Sequence, residues 1–196
     1  MDIQQTGQNS CEELPALEKS DPKASVRYWV AALVQMNTEK KVSSQLSRLG
    51  YHNYVPTQTE IRQWSDRKKK IERIVIPMII FLLIDKKEEN ELRKLSYINR
   101  FISYPGQREA AVIPVEQIER LKFMLNNADS VIEFSDEVYE IGEEIEIVRG
   151  PLKGLSGELC YKEKGKPMIG LHVQLLGYSY VNVDIKDVQR KIRDKN

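Results

Sequence analysis

The sequence predicts an α+β domain, an antiparallel sheet with packed helices, followed by a small all-β barrel. Three observations predict it. Strand-like and helix-like segments alternate from Val26 to Asn127. A polar stretch without periodicity follows, from Ala128 to Asp136. After it only short alternating strands joined by glycine-rich turns remain, and a stretch this short suggests a small antiparallel barrel.

The elements follow in chain order. VRYWVAALVQM, Val26 to Met36, is rich in β-branched and aromatic residues and reads as a strand. Asn37 can cap the helix that follows, in which Val42, Leu46 and Leu49 recur at helical spacing, and Gly50 suits its C-terminal end. Tyr54 to Ile61 is a second strand, with Pro56 marking an edge or bend. The basic stretch after it makes a turn or hairpin tip, and Ile71 to Ile84 returns as a largely buried third strand. Lys87 to Leu95 is a short polar helix, Ile98 to Tyr104 a strand, Pro105-Gly106 a turn and Ala110 to Ile113 a brief strand. Pro114 opens the last helix, with Ile118, Leu121 and Leu125 on one face. EIEIVRG then alternates apolar and charged residues, as a half-buried strand does.

The expected organisation is an acidic, disordered tail over residues 1–25, the α+β domain over 26–127, a linker over 128–137 and the barrel over 138–196. The tail carries Asp2, Glu12, Glu13, Glu18 and Asp21 and few large apolar residues. It lacks the basic start and apolar block of a secretory signal.

Composition narrows the function. Of 196 residues 41% are hydrophobic and 30% charged, and the formal net charge is +1, so bulk charge names no partner. The two cysteines, Cys11 and Cys160, form no CxxC and no metal-ligand spacing, which fits a reduced cytoplasmic protein. The two histidines, His52 and His172, stand far apart, and no GxSxG, phosphate-binding loop or GxGxxG occurs. The expectation is no enzyme, no cofactor and no metal. The apolar run from Ile74 to Ile84 is too short to span a bilayer and contains Pro77, so no membrane is expected either.

The stretch RQWSDRKKKIERIVIPMIIFLLI, Arg62 to Ile84, joins a dense basic run to that apolar strand. Arg62, Arg67, Lys68, Lys69, Lys70 and Arg73 can neutralise phosphates, and Trp64 can stack on an unpaired base or simply hold the hairpin in shape. Asp66 can bond to the turn backbone and pair with Arg67.

The barrel carries the most specific pattern. YEIGEEIEIVRGPLKGLSGEL resembles a KOW motif, in which Gly142 makes a turn before the strand. Gly150, Pro151 and Gly154 form the tight bend, and Gly157 follows on the next strand. An α+β domain, a short linker and an SH3-like KOW barrel together resemble the NusG family of transcription elongation factors, over roughly Val26 to Ile192. RQWSDRKKKIE and RYWVAALVQMNTEKKV are similar to the UpxY-type antiterminators of capsular polysaccharide operons.

The resemblance implies a bacterial, cytoplasmic factor whose NusG N-terminal (NGN) domain binds the β′ clamp helices of RNA polymerase through an apolar face of the sheet. The family's strand P-G-Y-V-F-V matches Pro77 to Leu82 here, with Met78 in place of the small residue and Ile79 in place of the aromatic. Ile79 and Phe81 share one face, so the resemblance assigns Pro77, Ile79 and Phe81 to polymerase contact, with Trp29 or Tyr28 on the first strand. Ile80 and Leu82 then face helices and core. The basic loop would lie by non-template DNA or nascent RNA near the upstream fork. The KOW domain would bind Rho or a small-subunit ribosomal protein, with Leu152, Leu155 and Ile169 as candidate contacts. Ordinary core packing is the competing reading for each of these apolar residues. Some specialised members touch the polymerase gate loop through a threonine-rich motif; the matching EENE at Glu88–Glu91 lacks it, so no such contact is expected. The alternation in EIEIVRG and the many glycines point to a stable barrel rather than one that refolds into helices.

The function so implied is a specialised antitermination and elongation factor for a polysaccharide operon. A general NusG-type elongation factor and a ribosome-associated KOW RNA-binding protein are the alternatives.

Overall fold

In the computed structural model, which describes residues 26–63, 68–135, 140–161 and 167–191, the chain begins with β1 (Tyr28–Val34). Then come α1 (Glu39–Arg48), β2 (His52–Tyr54), β3 (Thr57–Gln63), β4 (Lys68–Ile74), β5 (Ile79–Ile84), α2 (Lys86–Leu92), β6 (Ile98–Phe101) and α3 (Val115–Asn127). Strands β2-β5-β1-β6 form a four-stranded sheet in that order, every pair antiparallel. The acidic tail expected over residues 1–25 lies outside the described residues.

Side chains alternate across β1 and β5, and both faces are covered. Val30, Ala32, Ile80 and Leu82 pack with Val42 and Leu46 of α1 and Leu92 of α2. Trp29, Ala31, Ile79 and Phe81 cluster instead with Ile118, Leu121 and Leu125 of α3. The continuous apolar run IIFLLI is what a strand buried on both faces needs.

The long third strand expected over Ile71 to Ile84 is two strands, β4 and β5. Residues 75–78 turn between them, and Met78 sits at φ 63°, a left-handed conformation unusual for a side-chain-bearing residue. Pro56 likewise divides the expected second strand into β2 and β3, and its carbonyl accepts the Val75 N–H at 2.8 Å. The result is a separate β3–β4 ribbon standing off the main sheet.

Other local differences have physical causes. Asn37 does not cap α1; it takes a left-handed turn conformation at φ 64°, and Thr38 occupies the capping position with its hydroxyl donating to the Gln35 carbonyl at 2.6 Å. Gly50 does end that helix, at φ 85°. Helix α2 opens with a capping box. Asp85 Oδ1 accepts the Glu88 N–H at 2.7 Å, and Glu88 Oε2 accepts the Asp85 N–H at 2.9 Å. The brief strand expected at Ala110 to Ile113 reduces to an isolated bridge between Trp29 and Ile113.

The rest is all β. Strands β7 (Glu133–Ser135), β8 (Glu140–Ile147), β9 (Ser156–Tyr161), β10 (Pro167–Val173), β11 (Gly177–Asn182) and β12 (Val188–Arg190) form one six-stranded antiparallel sheet, ordered β12-β8-β9-β10-β11-β7. Strand β7 lies inside the stretch read as linker. One face of this sheet, with Ile145, Ile147, Leu171 and Val173, is continuous with the α3 core; the other buries Cys160, Met168 and Tyr180.

Candidate functional site

The α3-side face of the first sheet is the first candidate surface. Register places Trp29 opposite Leu83, Ala31 opposite Phe81 and Leu33 opposite Ile79, while His52 and Tyr54 of β2 extend the rows beside Leu83 and Phe81. The Tyr54 and Phe81 rings stack at 6.2 Å between centroids, and His52 meets the Trp29 ring edge-on at 5.8 Å. Lys122 of α3 reaches over this cluster, with its ammonium 4.9 Å from the Trp29 ring centre and 5.4 Å from that of Tyr54. Burial, and secondarily the Glu119 carboxylate, pushes the Tyr54 phenol well above its ordinary value.

The four residues assigned to partner contact do not share one environment. Pro77 is exposed, whereas Trp29 and Ile79 are each 5% exposed and Phe81 is fully buried. The surface a partner can touch on this face is its rim. There Leu33, Tyr54 and Leu83 are half-buried. Trp29, Ile79 and Phe81 set the shape from beneath. No sequence signal marked Leu33 or Tyr54, because whether a helix covers their face is a tertiary fact.

The β3–β4 ribbon is the second candidate surface. Its antiparallel register runs from Thr57 opposite Ile74 to Gln63 opposite Lys68. Lys69 and Lys70 are exposed and, being consecutive on a strand, point to opposite faces of the ribbon. Arg62 and Lys68 lie at the same end of the ribbon by backbone position, opposite Lys69 and Gln63. Trp64, Asp66 and Arg67 lie outside the described residues. Arg73 is drawn inward to an ion pair with Glu60. On the outside, Lys40 of α1 bonds the Glu72 carboxylate at 2.7 Å and holds it below the usual carboxylate range.

In the C-terminal sheet the predicted bend is present. Gly150 and Gly154 take φ 82° and 89°, a conformation glycine adopts without strain. Gly157 is required for a different reason: a Cβ there would stand 2.6 Å from the Gly170 carbonyl oxygen. Gly142 is not in a turn. It lies inside β8, where the pairing with β9 shifts register, and a Cβ there would meet the Leu159 carbonyl oxygen at 2.8 Å. Leu152, Leu155 and Ile169, expected as candidate contacts, are 7%, 3% and 0% exposed and belong to the core. The exposed apolar residue at this end is Ile185, in an open groove of about 770 Å³ with Pro151, Val183, Arg149 and Lys186. Cys160 is fully buried, and burial pushes its thiol up to about 11, so it offers no thiolate nucleophile. Among the described residues no group of acidic, histidine or cysteine side chains could hold a metal ion, and no helix is long and apolar enough to cross a membrane.

Residues 27–122 match the family model described as transcription termination factor nusG. Comparison with curated proteins gives no match. Among solved structures the chain is similar to one of domain interaction in Thermotoga maritima NusG. Identity is 15%, coverage is 84% of this chain and 97% of that one, and the TM-score is 0.46. It is also similar to a structure of the MjSpt4:Spt5 complex, with 16% identity, coverage of 86% and 99%, and a TM-score of 0.29. The matched residues hold the whole first sheet, the basic ribbon and most of α3. Residues 27–122, just under half of the chain, thus carry a domain similar to the NusG family, whose members are transcription factors.

Proposed function

We propose that the chain is a specialised antitermination and elongation factor that binds RNA polymerase at the β′ clamp helices and promotes processive transcription of a polysaccharide biosynthesis operon. The observation that carries this reading is the placement, within the family domain, of an aromatic and apolar sheet face beside a basic ribbon. Clamp helices would dock on the rim formed by Pro77, Leu33 and Tyr54, with Trp29, Ile79 and Phe81 shaping it from below. The ribbon, with Lys69 and Lys70 exposed, would meet non-template DNA or nascent RNA. Binding that favours the closed clamp over the open one disfavours pausing and termination, and needs no chemistry from the factor. The C-terminal domain would recruit Rho or a small-subunit ribosomal protein, and the groove beside Ile185 is the surface open to it.

The polysaccharide assignment is supported by the resemblance of RQWSDRKKKIE and of the first strand to UpxY-type factors. Mapping where the protein crosslinks along transcribed genes tests it. Occupancy confined to one such operon is the expected result. A profile over all transcribed genes would contradict specialisation, and association with ribosomes without polymerase would contradict the proposal as a whole.

A further inference from the structure

Between α3 and β7 the chain passes through Ile132, which is fully buried. A buried residue's backbone groups need partners, and here two side chains of the β3–β4 ribbon supply them. The Ile132 N–H donates to Gln58 Oε1 at 3.0 Å, and the Ile132 carbonyl accepts from Arg73 Nη2 at 2.7 Å. The Gln58 amide donates its own N–H to the Ser130 carbonyl at 2.8 Å. One glutamine therefore bonds the linker backbone at two points, as a strand neighbour would.

Gln58 and Arg73 are themselves cross-strand partners, and Arg73 Nη2 also reaches Gln58 Oε1 at 3.3 Å. The ion pair to Glu60 fixes the guanidinium on the same ribbon. Gln58 is only 4% exposed, so this is a desolvated contact, not a surface one. No slack follows it. The next residue, Glu133, already pairs with Tyr180 as the first residue of β7.

We propose that Gln58 and Arg73 are positioning residues that latch the linker to the ribbon and so set the orientation in which the C-terminal sheet is presented. A load on the ribbon is passed to β7 by the same bonds. Where that load is a nucleic acid, the coupling rests on the reading of the ribbon given above. By reciprocity, a partner bound to the C-terminal sheet alters the ribbon's affinity by the same factor. Helix α3 also packs on the C-terminal sheet, through the shared apolar core and from the Gln174 N–H to Gln117 Oε1 at 2.9 Å, but this contact does not hold the linker.

The test uses the full chain, labelled for NMR, and the variant Gln58→Met, which keeps side-chain length and removes both bonds. Residual dipolar couplings in the parent should fit one alignment tensor for both domains, and in the variant the fit of the C-terminal sheet to that tensor should worsen as the sheet reorients about its α3 contact. Exchange of the Ile132 amide should quicken by about tenfold or more, since each 1.4 kcal/mol of lost protection is a factor of ten, while amides of β1 and α1 are unchanged. If Gln58→Met fails to fold, Arg73→Lys keeps the charge and loses the bond to Ile132, and is read in the same way. A common tensor with unchanged Ile132 protection in the folded variant overturns the latch. Adding a short oligothymidylate separates the two ideas. In the parent it should shift ribbon and β7 resonances together, and in the variant the ribbon alone. If it shifts no ribbon resonance, the nucleic-acid reading fails and the tensors alone decide the latch.

Discussion

The side chain of Glu39, in the first turn of α1, accepts the backbone N–H of Met78 at 2.7 Å, and the carbonyl of Met78 accepts the N–H of Val34 at 2.9 Å. These two bonds hold the tight turn between the ribbon and β5 against the sheet. Glu39 is 1% exposed, and Met78 is left-handed at φ 63°. The position asks for glycine and has methionine.

Met78→Gly should therefore raise stability, by about 0.5–1 kcal/mol after allowing for the looser unfolded chain. Glu39→Ala should lower it by about 1–3 kcal/mol, because the Met78 N–H loses its buried acceptor. Urea unfolding measures both. A destabilised glycine variant would mean that the Met78 side chain contributes more by packing than its backbone costs.

Phe81 is fully buried in the cluster with α3, so Phe81→Ala should cost about 3–5 kcal/mol of stability. Lost binding in that variant would report on folding as much as on a surface. Leu33→Lys is the cleaner probe. Leu33 is half-buried at the rim, so the change should cost about 1–2 kcal/mol and leave the fold intact. It should nevertheless weaken polymerase binding at least tenfold, as a charge placed in a desolvated apolar contact does. Circular dichroism with a polymerase pull-down separates the two effects.

How much of this was legible in the sequence follows from where the signals lie. Helices α1 and α3 announce themselves by apolar spacing, and Gly150 and Gly154 by the turn they must make. The break at Pro77 was hidden because IVIPMIIF is apolar on both sides of it, so no change of period marks the turn. Gln58 gives no local signal at all. Its partners, Ser130 and Ile132, are more than seventy residues away and bond to it through their backbone. The covering of Phe81 by α3 is equally silent, since both the core and a docking face ask for an apolar side chain.

Acid should loosen the N-terminal domain at one identifiable carboxylate. Burial alone would raise the Glu89 carboxyl, but bonds from Arg93, the Ala110 N–H and the Tyr28 hydroxyl, with the charge of Lys86, outweigh it and hold it below the usual range. A carboxyl lowered in the folded state contributes stability that is fully present above its unfolded value, near 4.5, and is lost as pH falls through the lower folded value. Glu89→Gln should reduce stability at neutral pH and flatten the acid limb below about pH 4.5. An unchanged acid limb in that variant would assign the pH dependence elsewhere.

Lys69→Glu and Lys70→Glu should each weaken binding of single-stranded DNA and reduce the slope of log affinity against log salt by about one. Because the two side chains leave opposite faces of the ribbon, the size of each effect reports which face the nucleic acid follows. Fluorescence anisotropy across a salt series measures both. Affinity and slope unchanged in the double variant would remove the ribbon as a nucleic-acid surface.

The central claim is that this family domain engages RNA polymerase through the α3-side rim. Its most direct test is the affinity of the purified chain for a reconstituted bacterial elongation complex, measured beside Leu33→Lys and followed by pause duration on a single template. Saturable binding that shortens pauses, lost in the Leu33 variant while its fold persists, is the predicted result. Absence of binding, or binding and pausing identical in the two proteins, would contradict it.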